Sequence, residues 1–447
     1  MKRFGPWFLC ITLVVLACNN KPRVIEAVNG RADLKSFGFA PDETYEIYGN
    51  WEYVPGKLIA PEQLDKIPTK TYAPVPQSFS SYEQPTLRLP PAASATYRIV
   101  LDLPAKVQPY TFRIPPPATA CRIFLNGHLE LENGTVSEAL TDIKAQTRMR
   151  YLQLPLGGKT ELVVHVSNAE FRKGGIWQAI SLGVSPAMER YRLHALISDI
   201  LVIVALLTFA VYHILLAYLK HPETSSVFYG LFCLMVATGR LFTGERLVAE
   251  LFPGLSWATG LRIEFVCNFI DAGFFYLYYR LFFPDLRKSG VLKFMGGVTL
   301  AFAAAAAVLP ISLTRHLREP FQILIALGIL FGIYQLIQLA IRNVYGARVF
   351  LAGVIVVACG FGNDALKSAE VISTPYLFSY SILLFTLVQA VLISGKSVGI
   401  FRENVELSQK LIRTDKLKDE FLTQTSHELR TPVQAMVQTL ENLRRGV

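Results

Sequence analysis

The chain has 447 residues, 52% of them hydrophobic and only 17% charged, against about 25% charged in an average soluble domain. Its formal net charge of +10 raises the question of nucleic acid. Many of the Lys and Arg residues flank apolar runs, however, and no basic stripe interleaved with aromatics occurs, so membrane topology explains the charge and no nucleic-acid partner is expected. Of six cysteines, Cys10 and Cys18 lie in the N-terminal region, Cys233, Cys267 and Cys359 fall in apolar runs, and Cys121 stands by itself between them. No CxxC or clustered His/Cys spacing is present, so neither an internal disulfide framework nor a metal site is expected.

The chain opens with basic Lys2 and Arg3 and an apolar stretch from Trp7 to Ala17, too short to span a bilayer comfortably. Val15-Leu16-Ala17-Cys18 resembles a bacterial lipobox, which implies that residues 1–18 are a signal and that Cys18 becomes lipidated and inserts in membrane lipid. An ordinary cleaved signal, or an uncleaved anchor with a chance cysteine, stays open. All three readings place the following region outside the cytoplasm.

Residues 30–187 read as an extracytoplasmic β-sandwich sensor domain, jelly-roll-like. Period-2 alternation recurs in Tyr97, Ile99, Leu101 and Leu103, in Cys121, Ile123 and Leu125, and in Leu162, Val164 and Val166. Asn126-Gly127 and Asn133-Gly134 are hairpin signals between such runs, and several short strands at this spacing suit a sandwich. Trp51 and Trp177 could stack on a sugar, but a core or sheet-edge role is the commoner use of such aromatics.

From residue 195 to 397 the texture changes. Apolar runs near 195–219, 227–244, 257–283, 291–312, 321–341, 349–368 and 375–396 predict a seven-helix transmembrane bundle, the second weakened by Arg240. With the sandwich outside, cytoplasmic loops hold Lys220, Arg280, Arg287, Lys288, Lys293, Arg342 and Arg348. The opposite loops hold Arg246, Arg315, Arg318 and Lys367. The bias has the sign of the positive-inside rule, and seven crossings put the C-terminus in the cytoplasm of a bacterial inner-membrane protein. On the third span Glu264, Asn268 and Asp271 form one polar stripe at i, i+4 and i+7, with Arg240 as a partner across the bundle. Such groups are expensive in lipid and should face the interior, either as a structural or signal-coupling lock or as a ligand or proton site.

Residues 398–415 read as a helical signalling linker and 416–447 as a further helix. Leu422, Ser426, Leu429, Val433, Met436, Leu440 and Leu443 follow alternating four- and three-residue steps, a coiled-coil-like seam. His427 lies one residue past a seam position, so its imidazole should face solvent. Glu428 is adjacent, and Pro432 invites a bend. An exposed histidine beside a carboxylate is an accessible nucleophile with a base next to it.

Ser426-His427-Glu428-Leu429-Arg430-Thr431-Pro432 resembles the H-box of the dimerisation and phosphotransfer domain of bacterial sensor histidine kinases, a resemblance covering Lys416 to Leu443. It implies that His427 is the phosphoacceptor and attacks the γ-phosphate of ATP, with Glu428 as the assisting base. It implies further that Thr431 positions water for dephosphorylating a response regulator, and that the protein acts as a homodimer. The family also needs a second helix and an ATP- and Mg²⁺-binding domain with Asn-rich and Gly-rich boxes. Val447 comes about five turns after His427, so the sequence reads as a fragment of a longer kinase, with ATP and Mg²⁺ held by a domain outside it. A non-enzymatic receptor or adaptor, whose last helix only dimerises, is the alternative.

Upstream, Gly49-Asn50-Trp51-Glu52-Tyr53, Gly56-Lys57-Leu58, Ala95-Thr96-Tyr97-Arg98, Phe124-Leu125-Asn126-Gly127 and Val166-Ser167-Asn168, followed by seven spans, resemble bacterial seven-transmembrane receptors with diverse intracellular signalling modules. That resemblance covers roughly residues 40–397. It implies a jelly-roll sensor domain outside the cell and an extracellular ligand, carbohydrate being the common guess. No ligand residue carries over.

Overall fold

A computed structural model describes residues 23–115, 120–146, 148–219, 224–369, 371–372 and 374–444. The expected signal at 1–18 and its Cys18 therefore lie outside the described residues. The chain divides into two compact units: Met1–Gln335 with Val354–Leu383, and Leu336–Gly353 with Leu384–Val447.

The first unit begins with eleven strands: β1 (Arg23–Ala27), β2 (Arg31–Asp33), β3 (Tyr45–Pro55), β4 (Tyr72–Val75), β5 (Ala93–Asp102), β6 (Gln108–Ile114), β7 (Ala120–Leu125), β8 (His128–Asn133), β9 (Arg150–Leu156), β10 (Lys159–Asn168) and β11 (Ile180–Val184). They pair mostly antiparallel in the order β8-β7-β10-β5-β3-β11-β6-β9; β1 and β4 pair with β3, and β2 pairs with β5. The long strand β3 makes this path continuous. Its first half, to Gly49, pairs with β1 and β11, whereas Glu52 to Pro55 pair with β5.

Register follows from the alternation noted in the sequence. Leu162 lies opposite Ile99 on one side and Leu125 on the other, and Val164 opposite Tyr97 and Ile123. All six are buried in one core with Tyr45, Trp51, Tyr53 and Phe112. A one-residue slip of β10 would turn this row outward, so the core fixes the pairing. Asn126 and Gly127 take φ of 49° and 85° and form the tight β7–β8 hairpin turn. Asn133-Gly134 does not make a second hairpin. Only its glycine has positive φ, and the chain leaves β8 there into a loop pinned by an isolated Thr135–Lys144 bridge.

Several of the sequence motifs are structural. Trp51 is fully buried, so it is a core residue and presents no face to a ligand. Trp177 is half-buried and stacks on Phe171 at 6.0 Å. Arg98, across the β3–β5 ladder from Glu52, reaches Asp65 at 2.7 Å and Glu161 at 2.5 Å as well as Glu52 at 3.4 Å. Thr96 Oγ1 donates to the carbonyl of Lys57 and accepts from the amide of Ile59. The Asn168 side-chain amide donates to the carbonyls of Pro91 and Phe171. Cys121 is buried beneath these ladders, and desolvation pushes its thiol up to about 12, which leaves it inert.

Helices follow without a spacer: α1 (Ser185–Leu219) starts directly after β11, then come α2 (Thr224–Leu241), α3 (Trp257–Phe282), α4 (Gly290–Val308), α5 (Arg318–Ile341), α6 (Ala347–Ser368) and α7 (Phe378–Arg444). Among the described residues six helices are long and apolar enough to cross a membrane: Ser185–Tyr218, Thr224–Leu241, Gly290–Val308, Ile311–Ile341, Ala347–Ser368 and Phe378–Gly395. The third expected span is present as α3, but Arg262, Glu264, Asp271 and Arg280 leave it too polar to join that set. The fifth span begins earlier than its apolar run, because a short helix from Ile311 and a 3₁₀ turn lead into α5. Leu201, Val204, Val211 and Leu215 on α1, and Leu327 and Leu330 on α5, stay exposed, as lipid-facing positions must. Inside the first unit Leu261, Phe265 and Phe269 of α3 pack with Ala303 and Ala306 of α4 and with Phe321.

Gly49 is where β3 changes partners. Its φ is +114°, and a Cβ would lie 2.1 Å from the Ala27 carbonyl oxygen. Gly49→Val therefore combines backbone strain with overpacking and should cost on the order of 3 kcal/mol. Thermal unfolding of the full chain checks this, and a melting temperature within a degree or two of the parent would contradict it.

Candidate functional site

The residues expected to form one intramembrane lock do not all meet. Asp271 is buried and Glu264 half-buried, but Asn268 is exposed, so the stripe does not face inward along its length. Arg240, in the last turn of α2, pairs with Asp199 of α1 and not with Glu264, Asn268 or Asp271. Asp199 was not singled out in the sequence because it stands alone within the apolar run that begins near residue 195, with no second polar residue at helical spacing to mark a stripe. Its signal was the cost of burying it without a cation.

Asp199 does two jobs. One oxygen takes the Arg240 guanidinium, and the other accepts the backbone N–H of Glu245 at 3.0 Å. The turn is shaped for this. Gly244 has φ +61°, and a Cβ there would come within 2.3 Å of the Asp199 carboxylate. Both charged side chains are nearly buried, at 9% and 5% exposure, so neither tolerates loss of the other.

The turn held by Asp199 presents Glu245 to the β domain. Its carboxylate accepts from Arg113 Nη2 at 3.1 Å and from the Tyr151 hydroxyl at 2.8 Å. Arg113 and Tyr151 are directly paired across the β6–β9 ladder, so two strands deliver one recognition pair. Arg113 also lies over the Tyr191 ring at 5.4 Å. Burial opposes the Arg113 charge, but Tyr191, Glu245 and Tyr151 outweigh it and hold the guanidinium above its ordinary value. Burial, with Glu245 adding to it, raises the Tyr151 phenol, which stays a donor at neutral pH. On the other side of Asp199, Arg240 lies 6.0 Å from the Tyr380 ring centroid, and the Tyr380 hydroxyl meets Ser198 Oγ at 2.5 Å. Tyr380 is in the first turn of α7. A chain of polar contacts thus runs from β6 and β9, through Glu245, Asp199 and Arg240, to the start of the last helix.

The β domain also touches the helices elsewhere, among these contacts Arg192 of α1 over the Tyr151 ring at 5.0 Å. Arg148 donates to the Pro253 carbonyl at 3.1 Å, in the turn before α3. Arg172 pairs with Glu319 at 2.9 Å, while Arg315 donates to the Glu170 carbonyl at 2.6 Å, in the turn after α4.

The second unit holds the residues of the H-box. Phe350 packs edge-on against Phe385 at 5.3 Å, and α7 then continues as helix through Pro432. No break separates the expected linker at 398–415 from the segment 416–444. His427 is exposed, as are nearly all the described residues around it on this stretch of α7, those of the seam included. Glu428 accepts from the Gln424 amide at 3.2 Å, and Thr431 Oγ1 donates to the His427 carbonyl at 3.3 Å. Leu422, Leu429, Val433, Met436 and Leu440 of the seam are all at least half exposed, and the Leu443 side chain lies outside the described residues.

Residues 196–395 match the protein family described as 7TM diverse intracellular signalling. No curated protein matches the chain. Among solved structures the chain is similar to a β-glucuronidase of an uncultured Clostridium sp., at 16% identity and a TM-score of 0.25, covering 31% of this chain and 28% of that one. It is also similar to a Faecalibacterium prausnitzii β-glucuronidase, at 16% identity and a TM-score of 0.25, covering 32% and 31%. A third is a GH2 β-galacturonidase from Eisenbergiella tayi, at 13% identity and a TM-score of 0.24, covering 33% and 26%. The chain thus spans less than a third of the length of these enzymes, and none of their chemistry is transferred to it.

The fold and the family match define a multi-pass signalling membrane receptor. Within that class, this chain joins an N-terminal antiparallel β domain to a 7TM diverse intracellular signalling domain and ends in a long helix.

The buried pair is testable by a double-mutant cycle. Asp199→Leu or Arg240→Met alone strands a buried charge and should cost about 3–5 kcal/mol, whereas the double variant should be less destabilised than either single one. Thermal unfolding in detergent measures all four proteins. Additive losses would mean that the two residues do not act as a pair.

Proposed function

We propose that the protein is the receptor and phosphoacceptor part of a bacterial membrane sensor histidine kinase, with His427 as the residue that takes phosphate. The observation that carries this reading is an exposed His427 with Glu428 beside it, on a helix continuous with the last apolar span. An imidazole free of packing can approach a phosphorus atom, and the neighbouring carboxylate is placed to take the ring proton. In the reaction the His427 nitrogen bonds the γ-phosphorus of ATP, the bond to the bridging oxygen breaks, and ADP leaves. ATP and Mg²⁺ would be held by a catalytic domain outside this sequence. The phosphoryl group then passes to an aspartate of a response regulator, and Thr431, one turn from His427, would align water for the reverse function.

Seven crossings fit this reading better than six. The turn before α3 and the turn after α4 both contact the β domain. If α4 crosses the membrane, α3 must cross it in the opposite sense, its charged residues tolerated by burial against neighbours. The β domain would then be extracytoplasmic, and α7 would enter the cytoplasm beside the more basic loops. The exposed seam of Leu422, Leu429, Val433, Met436 and Leu440 supports a homodimer, since an isolated helix with such a stripe lacks its partner.

The test uses membranes containing the full chain, a histidine-kinase catalytic domain supplied in trans, and labelled ATP. Labelling should vanish in His427→Ala and fall by roughly one to two orders of magnitude in Glu428→Gln. Thr431→Ala should label and pass phosphate on normally, but the phosphorylated response regulator should then lose its phosphate more slowly. Labelling that persists in His427→Ala would remove the assignment and leave a receptor whose terminal helix only dimerises.

A further inference from the structure

Between the β domain and the turn that follows α2 lies a cavity of about 600 Å³, within the usual range for small-molecule sites. One wall comes from the loop after β8, including Lys144 and Arg148, and the other from the 242–264 segment, including Arg246, Trp257 and Glu264. Arg148 also donates to the Pro253 carbonyl at 3.1 Å, which ties the two walls together at one end.

The charges around it are unequal. Lys144, Arg148 and Arg246 line the cavity against the acids Glu132 and Glu264. Glu132 is matched by Arg122 on the adjacent strand at 2.8 Å, so its charge is answered within the β7–β8 ladder. Glu264 is answered by Arg246, so Lys144 and Arg148 are the surplus cations and favour an anion, and the Trp257 ring with Phe242 offers an apolar surface for the body that carries it.

We propose that this cavity binds a small organic anion, an acid carried on a ring or similar apolar body, clamped between the β domain and the membrane domain. Arg246 follows Glu245 in the chain, so an occupant drawn to Arg246 pulls on the turn whose carboxylate is held by Arg113 and Tyr151. The site would thus place a chemical signal beside the polar chain that leads to α7. The proposal does not depend on phosphate transfer at His427, because occupancy is read without any kinase reaction.

The test uses the full chain in phosphatidylcholine nanodiscs with dansylglycine, a carboxylate whose fluorophore accepts energy from tryptophan. Excitation of tryptophan should give saturable dansyl emission, and Trp257→Phe should remove most of it. The double variant Lys144→Gln/Arg246→Gln should raise the midpoint by roughly tenfold or more, whereas Arg246→Lys should stay within about threefold of the parent. 2-Naphthoate should displace the probe and the uncharged 2-naphthylmethanol should not. Emission that rises without saturating, equal displacement by acid and alcohol, or unchanged affinity in the charge-removing variant would each overturn the proposal. Arg246→Lys keeps the charge and the backbone position, so it separates loss of the site from loss of the fold.

Discussion

The Asp199 carboxylate is the constraint on which the junction depends. An acid within an apolar run must find a cation or leave the bilayer. Arg240, near the end of α2, supplies that cation, and the second carboxylate oxygen orders the Gly244–Glu245 turn. From this single arrangement follow the height of the turn, the direction of Glu245 and the contact with Arg113 and Tyr151. The β domain is therefore attached through groups whose geometry is set inside the helical bundle, not through a flexible linker; α1 itself begins at the residue after β11.

That attachment gives the molecule a physical means of passing a change in the β domain to its last helix. Packed cores do not deform continuously, so a shift of β6 against β9 must be taken up where the two meet a discrete set of hydrogen bonds. Glu245 is such a point, and Tyr380 at the head of α7 is the far end of the same set. Beyond it the helix is uninterrupted, and a helix transmits rotation and translation along its axis because every backbone bond in it is already made.

Much of this was legible in the sequence, and the parts that were not share a cause. The period-2 rows Tyr97–Leu103 and Leu162–Val166 named the core-facing side of the strands, because alternation is a local property. The helix carrying His427 was legible too, since a repeating apolar spacing is a local property. The partner of Arg240 was not legible. It required knowing which helices are neighbours, and the regular i, i+4, i+7 spacing of Glu264, Asn268 and Asp271 pointed to the wrong one. Spacing along one helix reports which residues share a face, not what that face meets. Glu245 carried no local signal at all, because its role depends on Arg113 and Tyr151, more than ninety residues away in sequence. Seven spans were expected from length and apolar content, and it is the third, α3, whose Arg262, Glu264, Asp271 and Arg280 keep it out of the six helices apolar enough to cross.

The central claim is that the β domain and the head of α7 are coupled through Glu245, Asp199 and Arg240. Hydrogen exchange of the full chain in nanodiscs, compared between the parent and Arg113→Ala, tests it most directly. Coupling predicts faster exchange both in the 242–256 turn and in the first turns of α7 around Tyr380. Faster exchange confined to β6, β9 and the 242–256 turn, with the α7 amides unchanged, would contradict it.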